Sequence, residues 1–386
     1  MLIELRAHRR ALVFLASVLD IPVLRAAALT FSSRTAIAAT AIEGVPVEEV
    51  RPLAAEPLPT FVFFTGAHPL RRREPLVRRV THGLARVGYQ VFLPDLPGLG
   101  EGEIGADTLN AALAVTRSVL ERSDVAGRRV ILLGASAGAS LALLTAADPE
   151  LADRVSLVVA VAPFADLEKM LCFATTRAYA DPAGRFATYQ ADQLLRRVVS
   201  RSLLALLSEP DRRVVRAELR SLEDEDSGEI DRLRELAPRL TKEGKAALEL
   251  LHNTDVARFA ELRAQLPPDV GMVLRRLSPL HTAAQVHAPV EIIVPPQDLY
   301  FPPGEAASLA YELPNARLTT TPTLEHTRPI ASLRRLPELA GFYRFIVRCL
   351  CDRSGFIEPQ ASPDWVTTIT SSKVPICRYF HPRQPF

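Results

Sequence analysis

Lysine is almost missing from this sequence. Lys169, Lys242, Lys245 and Lys373 are the whole set among 46 basic residues, and the rest are arginine. Acidic residues number 44, so the net charge is only +2, and no field of one sign argues for a nucleic-acid partner. Beside abundant alanine, leucine and proline, the scarcity reads as coding bias and not as a binding patch. Cysteine is scarce too: Cys172, Cys349, Cys351 and Cys377. Cys349-Leu350-Cys351 has the wrong spacing for a zinc knuckle, and no second pair matches it. The four are therefore expected as free thiols, with no metal site. Nothing in this usage asks for an oxidising compartment, and a cytoplasmic location is expected.

Long apolar runs are also lacking. Arg9-Arg10 precede a largely apolar stretch from Ala11 to Phe31, but Asp20, Pro22 and Arg25 interrupt it. The longest charge-free piece, Ala11 to Leu19, is far below the ~20 residues that span a bilayer. Residues 1–34 are expected to form an apolar helical segment packed on the body or on a neighbouring subunit. Two alternatives stand beside it: peripheral membrane association through residues 1–33, and a cleaved secretory signal.

What is present is the balance of a packed globular chain: 48% hydrophobic and 23% charged. That excludes a disordered chain, a collagen repeat and a small disulfide scaffold. A length of 386 residues allows two domains or one decorated domain.

The order of patterns is informative. Gly44 to Leu53 alternates only in part and carries Pro46 and Pro52, which suits an edge strand. Thr60 to Phe64 (TFVFF) is a buried strand ending in the loop Thr65-Gly66-Ala67-His68-Pro69. Helical spacing over Arg73–Val87, a strand at Gln90–Leu93, a helix over Leu109–Leu120, a strand at Arg129–Leu133, a helix over Ala139–Ala147 and a strand at Val155–Val161 follow. Alternating strands and helices mean parallel strands joined by crossover helices. From Asp166 to Arg276 no strand is convincing, and the stretch reads as a helical insertion. Its acidic cluster, Glu223 to Asp226, reads as a solvated loop. Alternation resumes with a strand at Ala288–Val294, a helix over Glu305–Leu313, a strand at Ala316–Thr320 and a last helix over Leu333–Leu350. The tail 352–386 holds the only tryptophan, Trp365, and no clear period; a disordered end, a swapped arm and a docking segment all remain open.

Gly134-Ala135-Ser136-Ala137-Gly138 has the pattern G-x-S-x-G between an apolar strand and a helix. A turn that tight demands residues without bulk at Gly134 and Gly138, and it lifts the Ser136 hydroxyl above the carboxyl edge of the sheet. The Ala137 N–H, at the helix start, points at developing negative charge. Serine needs a base held by a third group. Of the five histidines downstream, His252 lies in the insertion, His281 and His287 lie toward the wrong edge, and His381 lies in the tail. His326 sits in the loop after the last strand and is the candidate base. The candidate acid is Asp298, in the loop after Val294; Asp166, after the preceding strand, is the alternative. The second oxyanion donor is the Ala67 N–H, and His68 beside it reads as a loop or pocket residue.

In its elbow GASAG, the loop PDLPGLGEG, the acid loop QDLYFPP and the histidine loop LEHTRP, the chain resembles the α/β-hydrolase fold family, in its serine esterase/lipase-like form with a helical cap. The resemblance covers about residues 45–165 and 276–350. Where many members carry His-Gly before the oxyanion residue, this chain has Thr65-Gly66, and it has no HGGG run. The resemblance implies a mostly parallel central sheet flanked by helices. The core would comprise residues 35–165 and 276–351, with a helical cap at 166–275. It also implies cleavage of a small, apolar carboxylic ester through an acyl-enzyme, without cofactor. Thioester or amide hydrolysis, acyl transfer, and a non-catalytic binding protein on the same scaffold are the alternatives.

Overall fold

The computed structural model describes residues 2–19, 32–53, 58–180, 186–189, 191–219, 229–330 and 336–351. The acidic cluster 223–226 and the tail 352–386, with Trp365, Cys377 and His381, lie outside the described residues. The chain starts with helix α1 (Leu2–Val18) and the strands β1 (Thr35–Ile42), β2 (Val45–Pro52) and β3 (Leu58–Phe64). Helix α2 (Pro75–Arg86), strand β4 (Tyr89–Pro94), helix α3 (Ala106–Glu121), strand β5 (Val130–Ala135), helix α4 (Ala137–Ala146) and strand β6 (Val155–Val161) follow. Seven helices then occupy the insertion among the described residues: α5 (Leu167–Thr176), α6 (Gln193–Leu204), α7 (Glu209–Leu219), α8 (Glu229–Arg234), α9 (Lys242–His252), α10 (Val256–Ala264) and α11 (Pro268–Arg276). Strand β7 (Val290–Val294), helix α12 (Pro303–Glu312), strand β8 (Ala316–Thr320) and helix α13 (Leu336–Cys349) complete the fold.

The eight strands form one sheet in the order β1-β2-β4-β3-β5-β6-β7-β8. From β4 to β8 all neighbours are parallel, and β2 alone runs against them, paired antiparallel with both β4 and β1. Phe61 to Phe64 shows why the middle strands read as continuous apolar runs. All four are buried, with Phe61 and Phe63 on one face and Val62 and Phe64 on the other. One face is covered by α1, α2 and α13, the other by α3, α4 and the insertion. Helix α1 enters that packing through Ala7, Ala11, Phe14 and Val18, spaced to lie on one face, and Gly83 of α2 leaves room for the Phe14 ring. Among the described residues no helix is long and apolar enough to cross a membrane.

Two expectations are corrected. Gly44–Leu53 is not an edge strand: β2 lies between β1 and β4. Its prolines are tolerated because the ladder to β4 runs only from Val47 to Val50, and Pro46 and Pro52 face the ends of β1. The edge is β1, whose sequence TAIAATAI is mostly small and largely exposed, and it turns into β2 through Glu43 and Gly44, both at positive φ (52° and 75°). The insertion also holds strand. Ala178–Ala180 pairs antiparallel with Phe186–Thr188, a ribbon too short for hydrophobic alternation to reveal.

An ion pair ties the last helix to the strand that leads to the acid loop. Arg348 of α13 donates from Nε to both oxygens of Glu291 on β7 at 2.9 Å and from Nη2 to Thr319 on β8. The Glu291 side chain is only 4% exposed. Arg348→Ala would take this guanidinium from a buried carboxylate, and should destabilise the fold by about 3 kcal/mol. The urea midpoint of unfolding checks this.

Candidate active site

The carboxyl edge of the sheet gathers the candidate residues. Ser136 sits between β5 and α4 at φ 55° and ψ −126°, a conformation that L-residues rarely adopt. Close backbone approach enforces it. A Cβ on Gly134 would lie 2.2 Å from the Gly138 carbonyl oxygen, and one on Gly138 would lie 2.1 Å from that of Phe64. Neither position admits a side chain. The turn is pinned by the Ser136 N–H donating to Val161 O at 2.8 Å. Ala137 is the first residue of α4, so its N–H has no partner within the helix.

The loop after β3 lies against the serine. A Cβ on Gly66 would stand 3.0 Å from Ser136 Cβ and 3.6 Å from Ser136 Oγ. Gly66 thus lies against the serine, and Ala67 is the next residue of that loop. His68 is exposed and accepts the Leu70 N–H, a local loop contact.

The loop after β7 and the loop after β8 meet. His326 Nδ1 stands 2.8 Å from Asp298 Oδ2. A carboxylate only accepts, so Nδ1 carries the proton and Nε2 of the neutral ring is the acceptor. The other carboxylate oxygen accepts the N–H groups of Tyr300 (2.8 Å) and Phe301 (3.3 Å), so Asp298, 3% exposed, is fully engaged. His326 begins a two-residue turn between the short strands Leu324–Glu325 and Arg328–Pro329, at φ 52°. The Tyr300 ring lies over the imidazole at 4.3 Å between centroids, and Phe301 meets it edge-on at 5.4 Å. Among the described residues, the hydrogen bonds do not join Ser136 Oγ to His326, a contact that substrate-free enzymes often leave loose.

Asp166 is placed otherwise. Its Oδ1 accepts the N–H groups of Glu168 and Lys169, which caps α5. The cap occupies the carboxylate, so Asp298 and not Asp166 holds His326. Among the described residues no three His, Cys, Asp or Glu side chains group to hold a metal.

Sequence reasoning missed the groups behind the acid loop. Tyr300 and Phe301 lie two and three residues after Asp298 and were within reach. Glu305 and Tyr189 were not, since nothing in their local pattern points to the site. Glu305 on α12 is fully buried and accepts the N–H groups of Ala165 (2.7 Å) and Asp166 (2.9 Å) and the Tyr179 hydroxyl (3.1 Å). Burial pushes its carboxyl above the ordinary glutamate value near 4.5, although the two N–H groups pull the other way. A raised folded-state pKa gives stability that is complete below 4.5 and is lost as pH rises through the folded value. Glu305→Gln keeps an acceptor and cannot ionise. Relative to the parent chain it should gain stability as pH goes from 4.5 to 8, read as the difference in urea midpoints; parallel pH profiles would contradict this.

The model of the Alpha/beta hydrolase family matches residues 61–326, more than half of the chain. The chain belongs to the alpha/beta hydrolase family. No curated protein matches it. Solved structures similar to this alpha/beta hydrolase include Est1E from Butyrivibrio proteoclasticus, at 13% identity and a TM-score of 0.43, covering 81% of this chain and 98% of that one. The Pyrococcus furiosus esterase Pf2001 has 14% identity and a TM-score of 0.43, covering 82% and 90%. The Pyrococcus horikoshii acylaminoacyl peptidase has 12% identity and a TM-score of 0.49, covering 85% of this chain and 43% of that one.

Proposed function

We propose that this alpha/beta hydrolase is a serine hydrolase that cleaves a carboxylic ester through an acyl-enzyme. The observation that carries it is the 2.8 Å bond from Asp298 to His326, on the same sheet edge as Ser136 at its positive-φ turn. Ser136 Oγ attacks the acyl carbon while His326 Nε2 takes its proton. Asp298 keeps the Nδ1 tautomer and steadies the imidazolium that forms. The N–H groups of Ala67 and Ala137 donate to the oxygen that gains charge. The C–O bond to the alcohol then breaks, and His326 returns the proton to the leaving oxygen. Water gives a proton to His326 and adds to the acyl carbon; the bond to Ser136 Oγ then breaks, His326 returns the proton to Oγ, and the acid is released.

An ester is the acyl compound that the family resemblance implies first. The insertion leaves β6 at the carboxyl edge and returns before β7, so its helices serve as the cap. Leu167, Leu171, Val199, Leu203 and Leu274 are buried in the packing of those helices near Ile104 and hold the cap to the core. The test is a fluorophosphonate probe, which phosphonylates an activated serine. Labelling should map to Ser136; labelling elsewhere, or none, would sink the proposal.

A further inference from the structure

The insertion reaches the acid loop with more than cover. Its short ribbon ends at Tyr189, whose hydroxyl accepts the N–H of Asp298 at 2.9 Å across 109 positions of chain. Three residues further on, the Asp192 N–H donates to Leu299 O at 2.8 Å. From the first strand of the ribbon, Tyr179 donates its hydroxyl to Glu305 at 3.1 Å. Phe173 of α5 meets both tyrosine rings edge-on, at 6.3 Å for Tyr179 and 5.7 Å for Tyr189. The stretch from Asp298 to Glu305 is thus gripped in three places, and one grip is on the acid's own backbone.

From this juxtaposition we infer that Tyr189 is a positioning residue for the acid–base pair, acting through Asp298, so that the placement and basicity of His326 depend on the insertion. The inference rests on the serine hydrolase proposal. The carboxylate is oriented from inside its turn by the Tyr300 and Phe301 N–H groups, while Tyr189 fixes where the turn itself sits. Without the hydroxyl, the Asp298 N–H loses its acceptor in a nearly buried site, and the turn shifts to find another. The shift moves the carboxylate under His326, weakens its hold on the imidazolium, and lowers the basicity of Nε2.

The test uses the full chain with Tyr189→Phe, which keeps the ring against Phe173, and Tyr179→Phe as a comparison that loses a hydroxyl from the same ribbon. Tyr189→Phe should lower kcat about ten-fold with little change in KM, the scale of one buried donor left unpaired. The acid limb of the kcat/KM profile should move to lower pH, and the downfield proton resonance of the His326–Asp298 bond should move upfield. Tyr179→Phe should lower the melting temperature yet leave limb and resonance in place. Parent values of kcat, limb and resonance in Tyr189→Phe would overturn the inference, as would the same shifts in Tyr179→Phe. A Tyr189→Phe chain that does not fold would also overturn it, since the hydroxyl would then hold the fold and not the pair. The resonance is read without substrate. It therefore tests the positioning even if fluorophosphonate failed to label Ser136, which would remove only the serine chemistry.

Discussion

Ser136→Ala is expected to lower kcat on the order of 10⁶-fold, the scale seen when the nucleophile of such a unit is removed. The loss should fall on kcat because the hydroxyl makes its decisive bond only as the tetrahedral species forms. Some catalysis should survive from the donors of Ala67 and Ala137. The fold should hardly notice, since the N–H of residue 136 still donates to Val161 and alanine meets the same cost at φ 55° as serine does. Turnover of a simple aryl ester beside fluorophosphonate labelling makes the check. A variant that keeps one hundredth of the parent rate would mean that another group attacks.

Asp298→Asn should lower kcat on the order of 10⁴-fold with KM little changed. The reason lies in which oxygen is pinned. Tyr300 and Phe301 both donate to Oδ1, so asparagine must keep its carbonyl oxygen there. The amide NH₂ then faces His326 where Oδ2 stood, and two donors cannot bond. The imidazole must move its proton to Nε2, the atom that should receive the serine proton, so the base is lost without being removed. Asp166→Asn is the control. An asparagine caps a helix as well as an aspartate, and turnover should stay within about two-fold of the parent. Equal losses in both variants would show that the acid has been misassigned.

Much of the edge chemistry was legible because it is local. The elbow is a pentapeptide between an apolar strand and a helix, and a Cβ on either of its glycines would stand 2.1 or 2.2 Å from a carbonyl oxygen, so no other residue fits. His326 and Asp298 follow from strand order, since each lies just past a strand end. The edge of the sheet was misread because prolines in β2 look like an edge signal, while the true edge, β1, carries no signal beyond small residues. The paired strands Ala178–Ala180 and Phe186–Thr188, with Tyr179 and the adjoining Tyr189, were out of reach for another reason. A three-residue strand has no period, and the bond from Tyr189 to Asp298 depends on where the insertion folds back, which no local pattern states.

The contact of Gly138 with the carbonyls of Phe64 and Thr65 has one more consequence. It sets the gap between the serine turn and the Thr65-Gly66 loop by backbone against backbone, with no side chain between them to exchange. His326, the proposed base, hangs differently, from Asp298 and, behind it, Tyr189 of the insertion. On the proposed roles, substitutions in the insertion should therefore retune proton transfer without disturbing the pocket for the oxygen. Where such a chain diverges toward new substrates, the changes that alter its rate law belong in the insertion and its ribbon, while the strand–serine–helix block stays as it is.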